Sequence, residues 1–322
     1  MREFSEAELR AIQKSLFRRF RKRAEIADIG FGPGVRANRQ DPQRPASVCF
    51  YVRKKRTPRD REKHIPPTVK FRLKRRGKMR QFELPTDVIE VKKLVLSGVP
   101  MSFSGGGSVT GGVLVVWKEP SQTYLTWGLI TVRHAFPASL SLPQSRANIR
   151  IAGAGSSRLS GTLLAVSSSA RLDASLIRVK RFDLVAANIM DPTQGTNGLA
   201  VRTVDQLRDD EGASGVTRPR NTDRQFTVRT FIPVCHLFEQ QIGVIDSVVH
   251  AHYAANQTFS SGTSGSLWRI ANISGAIQFG GMSPAFREGF GQSLELVMAW
   301  AKETVDDLFG IEPDSFRYVA RI

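Results

Sequence analysis

The stretch "NQTFSSGTSGSLWRI" covers residues 256–270. In it Gly262 and Gly265 bracket Ser264, and an apolar run of strand-like sequence follows. A flexible linker has this composition, and so does a serine hydroxyl held on a tight turn at the mouth of a strand. The second reading requires two partners elsewhere, because a serine hydroxyl is a poor nucleophile until a base takes its proton and an acid orients that base. The sequence offers both. His134 ends the strand-like run "YLTWGLITVRHAF" (124–136), and Asp173 precedes another strand in "ARLDASLIRV" (170–179).

Around these residues the chain reads as two segments of different charge. The net charge is +18 over 322 residues. Residues 1–100 hold 27 Lys and Arg against 11 Asp and Glu, a balance of +16, while the remainder holds 20 against 18, a balance of +2. The basic segment opens with the capping-box pair Ser5 and Glu8, and Leu9, Ile12, Leu16 and Phe20 follow at helical spacing. In "TVKFRLKRRGKMRQFEL" (68–84), Val69, Phe71 and Leu73 alternate with Lys70, Arg72 and Lys74, which predicts a hairpin turning at Gly77 with one apolar and one basic face. Lys70, Arg72 and Lys74 are the candidate contacts to an anionic partner, either nucleic acid or an acidic protein, and a merely solvated face is the competing reading.

Beyond the Gly-rich "SGGGSVTGG" (104–112), short apolar runs alternate with Gly, Ser and Pro clusters, a pattern of many short strands that predicts an all-β barrel or sandwich. The exception is 293–309, where Leu294, Val297, Met298, Ala301, Val305 and Leu308 form a helical stripe. No run approaches the length of a membrane span, and the first residues lack the apolar core of a signal peptide. Cys49 and Cys235 lack metal-type spacing, so neither a disulfide framework nor a metal centre is expected. These features together predict a cytoplasmic protein with no cofactor.

The segments holding His134, Asp173 and Ser264 resemble the His, Asp and Ser motifs of the chymotrypsin-like (trypsin-fold) serine peptidases, whose chain order they share. The gaps of 39 and 91 residues suit that fold. "GAIQFGG" (275–281) falls where the family places a cleft-lining strand, and "GASGVT" (212–217) resembles a glycine-rich turn of bacterial members. The resemblance covers roughly residues 103–310. It implies two antiparallel six-stranded β-barrels with a C-terminal helix (101–322), preceded by a small basic α+β domain (1–100). It implies a serine endopeptidase acting on protein or peptide substrates, with Gly262 and Ser264 supplying oxyanion-hole N–H groups. It also implies substrate contacts at Thr258, Phe259, Gln278, Phe279 and Gly280, and a preference for a small or apolar residue before the scissile bond.

Two positions depart from the pattern. Thr263 stands where the archetype has an acid that pairs with a freed N-terminus, so activity through such cleavage-made ion pairing is not expected. Gln278 stands in place of a serine. These departures, with the charge split, motivate the alternative of a catalytically silent trypsin-fold module that docks on an anionic partner. Among lesser candidates, Asp183 is the rival acid. His250 and His252 in "VVHAHYA" are expected to be structural, and Cys235 and His236, adjacent on a strand, point to opposite faces.

Overall fold

The computed structural model describes residues 3–20, 25–33, 35–36, 39–40, 46–54, 65–91, 94–96, 112–136, 144–150, 158–167, 171–181, 198–217, 223–254, 257, 263–282 and 287–321. The helix Glu6–Phe20 begins at the expected capping box: Glu8 N–H donates to Ser5 Oγ (3.3 Å) and Ser5 N–H to Glu8 Oε2 (2.9 Å). Its buried face is Leu9, Ile12, Gln13, Leu16 and Phe20, with Lys14 and Arg18 exposed. Strands β1 (Ile26–Pro33), β2 (Val35–Arg36), β3 (Arg39–Gln40), β4 (Ala46–Val52), β5 (Thr68–Arg75), β6 (Lys78–Glu90) and β7 (Leu94–Leu96) follow. The β5–β6 turn is made by Arg76 (φ 50°) and Gly77 (φ 78°), two successive left-handed residues. Such turns match the twist of the strands they join. Val69, Phe71 and Leu73 are buried under the helix in a cluster with Phe4, Phe20 and Phe50, while Lys70, Arg72 and Lys74 face solvent.

The rest of the chain supplies β8 (Val113–Trp117), β9 (Thr126–Thr131), β10 (Gln144–Arg150), β11 (Arg158–Val166) and β12 (Ser175–Val179). Then come β13 (Ser214–Thr217), β14 (Arg224–Cys235), β15 (Ile245–Tyr253), β16 (Leu267–Ile270), β17 (Ile273–Met282) and β18 (Glu288–Ser293). The helix Leu294–Phe309 and strand β19 (Arg317–Arg321) finish it. The order β13–β16–β17–β18–β15–β14, with β14 paired back to β13, closes a six-stranded antiparallel barrel. A second antiparallel sheet runs β10–β11–β12–β9–β8–β19 and takes its sixth strand from the far C-terminus.

The expected pair of barrels is thus met by one closed barrel and one six-stranded sheet, whose end strands β10 and β19 are not paired to each other among the described residues. The basic N-terminal segment, in turn, sets only the two-stranded β2–β3 ribbon apart among its described strands. β1 pairs with β14 at Phe31↔Phe231, and β4, β6 and β5 continue outward, so the barrel's sheet reaches eleven strands. The expected boundary near residue 100 is crossed by this hydrogen-bonded seam and by β7, which pairs with β17. Gln13 reinforces the seam: its Nε2 donates to Ile29 O (2.8 Å) on β1 and to Val234 O (2.7 Å) on β14.

One apolar core joins the two sheets, with Trp117, Leu129, Leu176, Phe279, Phe290 and Leu294 all within it. The C-terminal helix buries Leu294, Val297, Ala301 and Val305 against this core. Leu308, assigned to that stripe from its spacing, is 49% exposed, and Phe309 instead stacks on Trp117 (6.3 Å). The helix ends one residue later, at left-handed Gly310, so the stripe runs out before position 308 reaches the core. Among the described residues no helix is long and apolar enough to cross a membrane.

Candidate active site

His134 lies in a single 3-10 turn, Arg133–Ala135, just past β9. Arg133 holds this turn by donating to Ser167 O (3.0 Å) and Ile242 O (2.7 Å). Asp173 lies two residues ahead of β12, which pairs with β9 through Ser175↔Thr131, so the sheet register itself brings the two residues together. The His134 backbone N–H donates to Asp173 Oδ1 (2.8 Å), and His134 Nδ1 lies 2.5 Å from Asp173 Oδ2. The carboxylate therefore fixes the ring's position and leaves Nδ1 as the protonated nitrogen. That makes Nε2 the acceptor, 3.1 Å from Ser264 Oγ.

Ser264 sits on a turn ahead of β16. Gly265 adopts φ 92°, a conformation that favours glycine. Its N–H donates to Gln278 O (2.9 Å), while the Ser266 N–H and hydroxyl both donate to Thr263 O (3.1 and 2.6 Å). The first bond ties the turn to β17, and the other two close the turn on itself. The Ser264 side chain also reaches the backbone of that strand, at Phe279 O (3.3 Å). Asp173 is fully buried and Ser264 is buried, so the arrangement is a dry Asp–His–Ser chain able to draw a proton from a hydroxyl to an imidazole.

One participant escaped the sequence reading. Gln292, fully buried on β18, accepts from the Asp173 N–H through Oε1 (2.8 Å) and donates to Asp173 O through Nε2 (2.7 Å). Its amide clamps the loop of one sheet to a strand of the other. Ser167 does similar work nearby, accepting from Ala174 N–H (2.9 Å) and donating to Leu172 O (2.7 Å). Neither residue belongs to a motif. The strand "EGFGQS" (288–293) gives no sequence signal for the clamp, which depends on where β18 passes Asp173.

The expected substrate contacts divide. Gly262, Thr258 and Phe259 lie outside the described residues, as does the rival acid Asp183. Gln278 does not offer its side chain to a ligand: the amide is fully buried, donating to Thr263 Oγ1 (3.4 Å) and accepting from Trp268 Nε1 (3.4 Å) behind the Ser264 turn. The alternation of β17 points it inward. Phe279 is also buried, edge-on to Phe238 (5.1 Å). Gly280 is flanked by Phe290 of β18 and by Leu96 of β7. Lys70, Arg72 and Lys74 are far in sequence from this site, and Lys70 pairs with Glu83 (3.5 Å).

His250 and His252 have structural partners. The β15–β18 register sets His252 opposite Glu288. Glu288 receives His250 Nε2 (2.8 Å), His252 Nδ1 (2.8 Å) and Arg229 (3.0 Å), while Tyr51 OH bonds His250 Nδ1 (2.8 Å). Burial pushes the His250 imidazole below its ordinary value. Burial also works to raise the Glu288 carboxyl, but the two histidine hydrogen bonds and the Arg229 charge outweigh it and hold the group low. Among the described residues no cluster of three or more His, Cys, Asp or Glu is arranged to hold a metal ion. Cys49 and Cys235 are buried free thiols.

No protein-family model matches the chain, and no curated protein sequence matches it. Solved structures similar to it are chymotrypsin-like serine proteases at low sequence identity. Protease A of Thermobifida fusca is 13% identical, with a TM-score of 0.38 over 66% of this chain and 99% of that one. A protease of M. tuberculosis in its active form is 14% identical, with a TM-score of 0.36 over 64% and 83% of the two chains. The chymotrypsin of Cellulomonas bogoriensis is 12% identical, with a TM-score of 0.34 over 60% and 95%. Overlap at this level assigns no activity.

Proposed function

We propose that the chain is a serine endopeptidase acting through His134, Asp173 and Ser264. The observation that carries this reading is the imidazole of His134 spanning Asp173 Oδ2 at 2.5 Å and Ser264 Oγ at 3.1 Å. Ser264 Oγ adds to a peptide carbonyl as His134 Nε2 takes its proton, Asp173 stabilises the imidazolium, and the proton passes to the departing amine. Water then hydrolyses the ester by the same relay in reverse. The developing oxyanion is held by the backbone N–H groups of Gly262 and Ser264, a contribution of about 3 kcal/mol per donor in such sites. No cofactor enters the reaction, and the protein works in the cytoplasm.

The test is turnover of a fluorogenic peptide library by purified protein. Ser264→Ala is expected to lower kcat by about 10^5 to 10^6-fold with an unchanged unfolding curve, as removal of such a serine does when it acts within a unit. Turnover equal in the two proteins would refute the assignment.

A second reading has its own observation. β5 ends the eleven-stranded sheet and exposes Lys70, Arg72 and Lys74 along it. A basic edge of this kind suits an anionic partner, nucleic acid or acidic protein, and is compatible either with a working peptidase or with a silent binding module. Salt-sensitive nucleic-acid binding by a protein with no peptidase activity favours the silent module.

A further inference from the structure

A groove of about 1440 Å3 is lined on one side by the helix Glu6–Phe20 and on the other by the connection between β14 and β15. It exceeds the about 300–1,000 Å3 of small-molecule pockets, so it suits a segment of chain better than a metabolite. The helix turns one stripe toward it. Arg10, Lys14, Phe17 and Arg18 recur at the spacing that puts side chains on a single helix face. Ala27, Val91, Leu94, Val234 and Leu237 supply a half-buried aliphatic lining. Gln13, which bridges β1 to β14, also borders the groove, so it lies on the seam between the N-terminal strands and the barrel.

The described lining carries five Lys or Arg side chains against two Glu. These charges are unevenly met. Arg10 is held by Glu6 (2.6 Å) and Asp246 (3.2 Å), and Arg171 lies 3.6 Å from the same Asp246. Glu239 stands against His236 (3.4 Å). Lys14, Arg18 and Arg53 are exposed and have no carboxylate partner among the described residues. An aliphatic lining beneath unmatched cations is complementary to a segment that combines apolar anchors with carboxylates. A nucleic-acid strand is the poorer match, because bases stack on aromatic faces. Among the described lining residues the only benzene ring is Phe17, half-buried and 5.7 Å from the His236 ring. Glu25 and Glu239 also oppose a continuous phosphate backbone, whereas a peptide carries its charges singly.

We infer that this groove is a docking site for an acidic peptide segment of a partner protein. Aliphatic side chains of that segment pack against Phe17, Leu94 and Leu237, and its carboxylates meet Lys14, Arg18 and Arg53. The inference goes beyond the endopeptidase reading and does not depend on it. Arg171 on the rim precedes Asp173 by two residues, so a docked partner lies beside the candidate active site without occupying it. The groove is also distinct from the basic face of β5, which forms the far end of the eleven-stranded sheet and contributes none of the described lining. Mutation can therefore separate the two basic surfaces.

The test is fluorescence anisotropy with full-length Ser264→Ala protein, so that no probe is turned over, and a fluorescein-labelled peptide of Leu, Ala and Glu. Saturable binding is expected. It weakens about tenfold or more when Lys14→Gln, Arg18→Gln and Arg53→Gln are combined. It changes less than about twofold when Lys70→Gln, Arg72→Gln and Lys74→Gln are combined, which removes the same charge from the other basic surface. All six side chains are exposed, so both triple variants should keep the parent unfolding curve. Peptides with Lys in place of Glu, or Ser in place of Leu, are expected to bind about tenfold or more weakly. Absence of saturable binding overturns the inference. Equal losses in the two triple variants overturn it by showing attraction to net charge alone. A Ser-for-Leu peptide that binds as tightly as the parent removes the aliphatic anchors from the account. An oligothymidylate that binds more tightly than the peptide, and loses affinity in the groove variant alone, makes the groove a nucleic-acid site instead.

Discussion

Gln292→Met isolates the clamp between the sheets. Methionine matches glutamine in length but neither donates nor accepts at those atoms with comparable strength. The change deprives the Asp173 N–H and C=O of their partners, both inside a fully buried residue. Each unpaired buried group costs about 1–3 kcal/mol, so the two together predict a loss of about 2–5 kcal/mol, softened at the upper end by any relaxation of the loop. The same loosening frees the carboxylate that orients His134. A misoriented imidazole costs about 10^4-fold at most, the loss found when such an acid is replaced outright, and a displaced but intact Asp173 should cost about ten- to a hundredfold. Urea unfolding measures the first effect and the rate of fluorophosphonate labelling at Ser264 the second. A variant within about 0.5 kcal/mol of wild type, labelling at the same rate, would show that Gln292 does not hold Asp173 and would remove the mechanical link between the sheets.

Asp28 predicts an unusual pH response. Burial pushes its carboxyl up to about 6, against hydrogen bonds from the Ile29 and His236 N–H groups. Between the unfolded value near 4 and that folded value the native chain binds more protons, so this group makes the fold more stable as pH falls from 7 to 5, by about 1 kcal/mol. Denaturant titrations at both pH values should show the change from pH 7 to pH 5 to be about 1 kcal/mol more stabilising in wild type than in Asp28→Asn. Gly77→Val places a β-branched residue at φ 78° and should cost about 1–2 kcal/mol; an unchanged thermal midpoint would mean the hairpin turn adapts. Replacing Lys70, Arg72 and Lys74 together by alanine should leave the unfolding free energy within about 1 kcal/mol, since exposed charges contribute little. It should also flatten the salt dependence of any nucleic-acid binding measured by fluorescence anisotropy.

How much of this was legible in the sequence follows from the range over which each signal acts. Ser264 and Gly265 declare themselves locally, because a left-handed glycine beside a serine is a requirement of one turn. His134 and Asp173 stand at the ends of strands whose apolar runs are readable, and the β9–β12 register then joins them. The helix Glu6–Phe20 and the turn at Gly77 are likewise local, set by a cap, a period and a positive φ. Gln292 is different: its value lies in where β18 passes Asp173, and a glutamine in a strand carries no mark of that. The direction of Gln278 is not legible for a related reason, since one residue of register decides which face of β17 it takes. The seam between β1 and β14 and the placing of β7 on β17 are pairings across hundreds of residues, governed by edges that only the assembled sheet exposes.

The central claim is that Ser264 is a nucleophile activated by His134. The most direct measurement is fluorophosphonate labelling of the folded protein with the modified residue mapped by mass spectrometry, in wild type and in His134→Ala. The account predicts one adduct, on Ser264, with its rate of formation reduced at least a thousandfold in His134→Ala. Well-folded protein that forms no adduct at Ser264, or one formed equally fast without His134, would contradict it.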